Sequence, residues 1–200
     1  RLSHQGASVM NNYKGFTLME LMVTLAVASI LMTVAVPSAQ LWQANARVTA
    51  TANTLAADLK KARANALVMR RNHTLTAIDS TVSSNQWGKG GWQATELVNG
   101  VPKMVLEGRG VPASVSISGT AVDSAAASST DASVVIVGST GMMQKTDGTA
   151  ISMTFKVCDT SVAKEVGYNI LINQFGRLLL QKHLNAKDAN VAGDSKGCNT

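Results

Sequence analysis

The distribution of hydrophobic and polar residues changes sharply along the chain, and its first feature is a long apolar run. Residues 16–36 contain a single charged residue, Glu20. As a helix that rises about 1.5 Å per residue, this run spans roughly 31 Å, which is the thickness of the hydrocarbon core of a bilayer. The pattern therefore predicts a transmembrane helix over residues 16–37, with Pro37 at its end.

Two other interpretations of the apolar run are a secretory signal peptide and a plain signal anchor. A signal peptide has an uncharged apolar region of about 7–15 residues, whereas this run is longer and contains a carboxylate. Residues 37–39 offer only a weak cleavage site. A charge in a membrane segment is costly and marks a functional site that needs a partner. Because no Lys, Arg or His lies within residues 16–36, the partner of Glu20 must come from elsewhere or be a chain terminus.

Residues 38–72 keep a helical period but are amphipathic. Leu55, Leu59, Ala62, Ala66 and Met69 fall on one stripe at steps of four and three. We expect one helix, bent near Pro37, that runs from Phe16 to about Arg71 and is followed by Asn72. Basic residues occupy the rest of the wheel, and the last of them would complement the helix dipole: Lys60, Lys61, Arg63, Arg70 and Arg71.

After Asn72 the pattern changes to short alternating segments, which are typical of antiparallel β-structure. Glycines and polar residues divide eight predicted strands: 73–79, 91–97, 103–106, 115–118, 134–137, 151–157, 167–172 and 177–181. Residues 173–176 between the last two are expected to form a hairpin turn with Gly176 at positive φ. The Ala/Ser-rich stretch 113–133 is expected to contain a flexible loop. The predicted class is α+β, a long helix packed on an antiparallel head over residues 73–200.

Charge and chemistry narrow the class of function. The net charge is +6, but residues 47–71 hold six basic residues and one acidic residue, while residues 72–200 hold ten of each. One interpretation of the basic stretch is contact with DNA or anionic lipid. The other, which we favour, is that it is a solvated face or forms ion pairs with neighbouring subunits. The head has no net field to attract phosphate. Trp87 and Trp92 are expected to be packing residues.

Nothing in the sequence indicates catalysis. His4, His73 and His183 are isolated, and no metal-binding spacing or nucleophile motif occurs. We therefore expect neither an enzyme, a cofactor nor a metal site.

The residues around the start of the apolar run resemble a processing motif. Lys14-Gly15-Phe16-Thr17-Leu18-Met19-Glu20-Leu21 is similar to the prepilin motif of type IV pilins and type II secretion pseudopilins, although isoleucine or valine is commoner at the position of Met19. The resemblance implies that a prepilin peptidase removes a leader, residues 1–15, by cleavage between Gly15 and Phe16, and that the new amine of Phe16 is methylated. Glu20 would then pair with that amine on a neighbouring subunit during docking, and Pro37 would bend the helix. Met10 is a candidate start.

The head resembles the GspH/FimT/FimU branch of this family, which has a pilin-like fold. The resemblance is carried by Leu55-x3-Leu59-x2-Ala62-Arg63-x2-Ala66, by Trp87 with Gly91-Trp92, by Val134 to Gly141, and by Gly176-Arg177. It implies a minor type IV pilin, single-pass in the bacterial inner membrane with a periplasmic head, that primes assembly or forms the tip of the pilus. Implied partners are other major and minor pilins or pseudopilins, the prepilin peptidase, the inner-membrane assembly platform and membrane lipid.

Two alternatives stay open within the family. A minor pseudopilin of the type II secretion system shares every motif quoted. A DNA-binding competence pilin of the FimT kind has a Gly-Arg-x-Arg motif near its C-terminus. Here Gly176-Arg177 is followed by two leucines, so the second arginine is missing, although Lys182 follows. Arg177 and Lys182 are thus the candidate residues for a weak DNA contact, which we do not favour.

The two cysteines, Cys158 and Cys198, are candidates for a disulfide if the head is periplasmic. The bond would close a loop of about 40 residues, worth roughly 4 kcal/mol in the chain-entropy account. Free thiols in a reducing compartment are the alternative.

Overall fold

A computed structural model describes residues 15–78, 87, 90–98, 101–108, 110–123, 129–131, 134–162 and 166–183. These residues form two compact units, divided between Ala39 and Gln40. Helix α1 covers Leu18–Met69 and contributes residues to both units. The strands are β1 His73–Ala77, β2 Trp92–Val98, β3 Val101–Glu107, β4 Val115–Asp123, β5 Ser129–Asp131, β6 Val134–Val137, β7 Met143–Gln144, β8 Ile151–Asp159, β9 Val166–Ile172 and β10 Leu178–His183.

The strands of the second unit form two antiparallel sheets, which confirms the predicted α+β class. The first sheet has the order β3-β2-β1-β6-β7, and the second has the order β10-β9-β8-β4-β5. Paired strands in both sheets are antiparallel. The hairpin between β9 and β10 is also confirmed, since Gly176 has φ 74 and its amide donates to the carbonyl of Asn173 at 2.8 Å.

The core is one cluster to which α1 and both sheets contribute. The helix buries small residues at steps of three and four, beginning with Ala44 and Val48 and ending with Ala66. Strand β4 buries alternate residues from Val115 to Ala121, as a strand with one buried face must. Because most of the buried helical residues are alanines, the helix backbone can approach the sheets closely.

The helix ends earlier than the periodicity predicts. Arg70 adopts φ 52, and the amide of Arg71 donates to the carbonyl of Ala66 at 3.2 Å, which is the left-handed ending that often terminates helices. Arg70 and Arg71 therefore lie beyond the helix, and no basic residue occupies its last turn. Met69 was wrongly placed on the buried stripe: it is 61% exposed, because the chain leaves the helix there.

The stretch predicted to contain a flexible loop holds more structure than expected. Strand β4 continues from Ser118 to Asp123, and β5 follows in the same stretch. Residues 118–123 include few residues that favour β-strands, but the whole of β4 pairs with β8, and this pairing keeps the segment extended. Strand β7 was not predicted either, because it has only two residues. The remaining residues, 124–128 and 132–133, lie outside the described residues.

Both predicted packing tryptophans are buried. The ring of Trp87 meets Phe155 edge-on, with centroids 5.0 Å apart, and a side chain at Gly119 would lie 3.0 Å from its indole nitrogen. Trp92 donates from Nε1 to the Asp58 carboxylate of α1 at 2.9 Å. The first tryptophan packs on the second sheet, and the other joins the first sheet to the helix.

An ion pair joins α1 to the end of β8. Arg47 Nε donates to Oδ2 of Asp159 at 2.9 Å, and the Asp159 side chain is fully buried. The amide and hydroxyl of Ser161 donate to the other carboxylate oxygen. Burial alone would raise the pKa of Asp159, but the hydrogen bonds from Ser161 and Arg47 outweigh it and hold the pKa below its ordinary value of 3.8.

We predict that Gly108→Ala destabilises the head by about 2 kcal/mol, because a methyl group there would overlap the indole of Trp92. The measurement is urea unfolding of the full chain in detergent, followed by tryptophan fluorescence. Gly110→Ala is the matched control, since no atom lies within 4 Å of the added carbon. Equal stability of the two variants would contradict the packing described for Trp92.

We predict that Asp159→Asn makes the free energy of unfolding less dependent on pH in the acidic range. Because the pKa of Asp159 is lowered in the folded state, its contribution is fully present above about pH 4 and is lost as the pH falls further. Unfolding free energies at pH 6, 5, 4 and 3 should show a variant that is less stable than the parent by about 2 kcal/mol at pH 6, and the difference should narrow between pH 4 and pH 3. Glu107→Gln, at an exposed carboxylate without an ion pair among the described residues, should run parallel to the parent.

Candidate functional site

The N-terminus of α1 is capped by Thr17. The hydroxyl of Thr17 accepts a hydrogen bond from the amide of Glu20 at 3.2 Å, and the Thr17 carbonyl accepts from Leu21 at 3.2 Å. Thr17 and Glu20 have the Thr-x-x-Glu spacing of a capping box. Sequence analysis missed this role of Thr17, although the spacing itself was the signal. The cap places the predicted docking carboxylate in the first turn, near the positive end of the helix dipole.

The predicted cleavage site lies immediately before this cap. Gly15, Phe16 and Thr17 are not helical, and the Phe16 side chain is 81% exposed. A Cβ added to Gly15 would meet nothing within 4 Å. The peptide bond between Gly15 and Phe16 is therefore accessible, and packing within the described chain does not explain the glycine. The rest of the predicted leader, residues 1–14 with Met10 and Lys14, lies outside the described residues.

The apolar run presents its side chains outward all round the helix. An 18-residue window at the start of α1 has a mean hydropathy of 2.1 and is 0% buried. By length and composition, α1 is the one helix of the described residues that could cross a membrane. The exposed fraction of its large apolar side chains ranges from 51% at Val36 to 81% at Phe16. Such a surface requires an apolar environment, whether lipid or other helices.

The polar groups within this run are already satisfied, with one exception. The hydroxyls of Thr24, Ser29 and Thr33, and that of Ser38 just beyond the run, each donate to the carbonyl three residues before, at 2.7–2.9 Å. Pro37 lies inside α1 and has no amide hydrogen to donate. The Glu20 carboxylate forms no ion pair with any described residue. It is therefore the only side chain of the run that needs a partner.

Many basic residues of the stretch 47–71 make contacts within the head. Arg47 pairs with Asp159, and Arg71 pairs with Glu96 at 3.4 Å. Arg63 donates to two backbone carbonyls. Lys60 and Lys61 are exposed and form no ion pair with a described residue. The stretch is thus not one free basic face.

The two candidate DNA-contact residues lie on the β9–β10 hairpin. Arg177 is exposed just before β10, and its amide donates to Oδ1 of Asn173 at 2.8 Å. Lys182 is exposed within β10. Leu179, where a second arginine would stand, is 60% exposed. The structure places these cations five residues apart along the chain, with an apolar side chain rather than a charge between them.

His73 is a buried structural residue at the start of β1. Its Nδ1 lies 3.2 Å from the carbonyl of Arg71, and its Nε2 lies 3.7 Å from the carboxylate of Glu96. His183 ends β10, and His4 lies outside the described residues. Among the described residues, no three His, Cys, Asp or Glu side chains are grouped so that they could hold a metal ion. His73 is thus a core residue whose Nε2 lies near the Glu96 carboxylate without a hydrogen bond to a described residue.

Cys158 is buried in β8 and is disulfide-bonded. Cys198, its predicted partner, lies outside the described residues. The pairing of Cys158 with Cys198 stays a prediction.

Two family models match the chain. Residues 10–36 match the prokaryotic N-terminal methylation motif, and residues 51–176 match the type II transport protein GspH. No curated protein sequence matches significantly.

Two solved structures of the type IV minor pilin FimU from Pseudomonas aeruginosa, in space groups P21 and P65, are similar to the chain. The first is 23% identical over 67% of this chain and 87% of that one, with a TM-score of 0.48. The second is 22% identical over 66% and 91%, with a TM-score of 0.47.

The GspH match covers more than half of the 200 residues and spans α1 from Thr51 and strands β1 to β9. The methylation motif, residues 10–36, precedes it and includes Gly15, Phe16 and Glu20. The chain therefore belongs to the type II transport protein GspH family and bears the N-terminal methylation motif.

Proposed function

We propose that this chain is a minor type IV pilin that inserts in the bacterial inner membrane and helps to prime, or forms the tip of, a pilus. The observation that carries the proposal is the fully exposed apolar part of α1, whose single charge, Glu20, lies in its first turn beside the predicted cleavage site. The protein acts as a structural subunit, without catalysis and without a cofactor.

The apolar surface is too large to be left in water. Thirteen large apolar side chains between residues 16 and 36 are more than half exposed. At about 1.5 kcal/mol or more for each, moving them out of water is worth on the order of 20 kcal/mol. Lipid supplies that environment while the subunit waits in the membrane, and neighbouring helices supply it in a filament. Residues 16–37 are the proposed membrane span.

Glu20 supplies the selectivity of docking. Cleavage between Gly15 and Phe16 creates an amine at Phe16, which the peptidase then methylates. In lipid an unpaired carboxylate is unfavourable, and pairing with that amine on a neighbouring subunit removes the penalty. The leader, with Lys14, stays on the cytoplasmic side by the positive-inside rule, so the head lies in the periplasm.

The name of the matching family favours a second candidate, a minor pseudopilin of the type II secretion system. The membrane span, the cleavage and the docking through Glu20 are the same in both. The difference is the machine that the filament serves.

A deletion strain distinguishes the two candidates. Surface filaments are sheared from the deletion and parent strains, quantified and probed for this chain, while secreted enzymes are assayed in the same cultures. Loss of pili, with this chain as a trace component of parental filaments, supports the minor-pilin proposal. Normal pili with secreted enzymes trapped in the periplasm overturn it in favour of the pseudopilin.

We predict that Glu20→Gln is processed and membrane-bound but enters filaments at least about tenfold less than the parent, because an amide cannot neutralise the amine. A tenfold loss corresponds to about 1.4 kcal/mol of docking free energy. Gln keeps the capping box intact, so loss of the cap would not explain the defect. The measurement is immunoblotting of membrane and sheared fractions.

Gly15→Ala is the comparison variant and should fail one step earlier, with the leader retained on the mass spectrum, because the proposed cleavage follows this glycine. A folding defect would not explain the failure, since no packing contact in the described chain requires the glycine. Normal filament entry of Glu20→Gln would refute the docking role. Normal processing of Gly15→Ala would indicate a simple membrane-anchored protein.

A further inference from the structure

A cavity opens on the surface of the head beside α1 and the β9–β10 hairpin. Its volume is about 390 Å³. The apolar part of its lining comes from the helix, through Leu59 and Leu67, and from the strands, through Met143, Ile172 and Leu178. Leu67 is 43% exposed, so the apolar floor is open to solvent. The proposed membrane span and Glu20 do not use this cavity.

Three cations surround the apolar floor. Lys60, Arg63 and Arg177 line the cavity, and none of the described residues that line it is acidic. None of the three forms an ion pair with another described residue. The cavity thus combines apolar walls with uncompensated positive charge, and this combination favours an occupant that is both apolar and acidic.

The central cation is fixed in place. Arg63 Nε donates to the carbonyl of Gly141 at 3.1 Å, and Nη2 donates to the carbonyl of Phe175 at 2.9 Å. A side chain at Gly176 would lie 2.5 Å from Arg63 Nε, so the glycine keeps the space that the guanidinium occupies. Because Arg63 is already held, little side-chain entropy is lost when it binds a carboxylate.

Strand β10 offers a backbone edge at the same place. It is the outermost strand of its sheet, and among the described residues no strand pairs with its far side. Leu178 lines the cavity, while Leu179 and Phe175 are 60% and 58% exposed. An extended chain can add to such an edge by main-chain hydrogen bonds, with alternate side chains directed to one face.

We propose that this cavity docks an extended segment of a neighbouring filament subunit that bears both acidic and apolar residues. An apolar side chain of the segment enters the cavity, a carboxylate binds Arg63 with Arg177 or Lys60, and the backbone pairs with β10. The inference rests on the proposed function, because it takes the neighbour to be another subunit of the same filament.

DNA fits the cavity less well. Duplex binding depends on many phosphate contacts, whereas the head from residue 72 onward has equal numbers of basic and acidic residues. A single-stranded base would need an aromatic ring to stack on, and none of the described residues that line the cavity is aromatic. An apolar floor contributes to binding a peptide side chain and contributes nothing to binding a phosphate.

Site-specific photocross-linking in the native host tests the inference. Benzoylphenylalanine replaces Leu67, which lines the cavity, or Val68, which is 77% exposed and does not line it. We expect position 67 to give a cross-link to one acidic segment of another filament subunit, identified by mass spectrometry, at least fivefold above position 68.

Charge reversal is the second arm, with a control on the same helix. Lys60→Glu and Arg177→Glu should each reduce the cross-link at position 67 at least fivefold, whereas Lys61→Glu should leave it unchanged, because Lys61 carries the same charge but does not line the cavity. All three residues are exposed, so the head should remain folded in each variant.

Several outcomes would overturn the inference. The first is equal cross-linking at positions 67 and 68. The second is a cross-link from position 67 to residues 184–200 of the chain itself, to lipid or to DNA. The third is an equal effect of the three charge reversals on the cross-link. Absence of a subunit cross-link in filaments that contain the chain overturns the docking cavity but leaves the proposed function intact. Absence of the chain from every filament overturns the proposed function and this inference with it.

Discussion

The close contact between α1 and the two sheets is the constraint on which the head depends. Alanines at positions such as 44, 52, 62 and 66 are buried, so that the backbone of the helix lies near the strands. Packing in a protein interior leaves little free volume, and a larger side chain at these positions would push the helix away from both sheets. The single core cluster, with its two tryptophans and Phe155, forms around this contact.

Polar contacts then determine how the helix lies on the sheets. Arg47 reaches Asp159 in the second sheet, Asp58 accepts from Trp92 in the first, and Arg63 donates to the carbonyls of Gly141 and Phe175. These contacts are directional, so they distinguish one rotation of the helix from others that would bury a similar apolar area. The guanidinium of Arg63, which holds the β9–β10 turn, is also one of the three cations that line the cavity.

Two surfaces of α1 suit two different environments. From Gln40 onward one stripe is buried against protein, whereas before Ala39 the helix is apolar all round and exposed. In the exposed part the hydroxyls bond to the helix backbone, which leaves Glu20 as the only polar side chain without a partner. This one carboxylate in an otherwise self-sufficient segment is the basis of the docking that we propose. In the head, by contrast, charges such as that of Asp159 are matched within the chain.

Local features of the chain were readable from the sequence. The apolar run, its single carboxylate, the processing motif and the turn at Gly176 depend on composition and on spacings of a few residues, and each is visible without knowing what lies elsewhere. The α+β class and the family followed from the same features, since helical and alternating patterns differ in period.

The tertiary structure alone decided what depends on distant pairing. Arg47 and Asp159 are 112 residues apart, and nothing in either neighbourhood predicts that they meet. Strand β4 extends to Asp123 because it pairs with β8, and this pairing outweighs the low strand preference of a sequence rich in Ala and Ser. The left-handed Arg70 ended the helix before the predicted residue. The cavity was also beyond sequence analysis, because its cations come from a helix and a hairpin that only folding brings together.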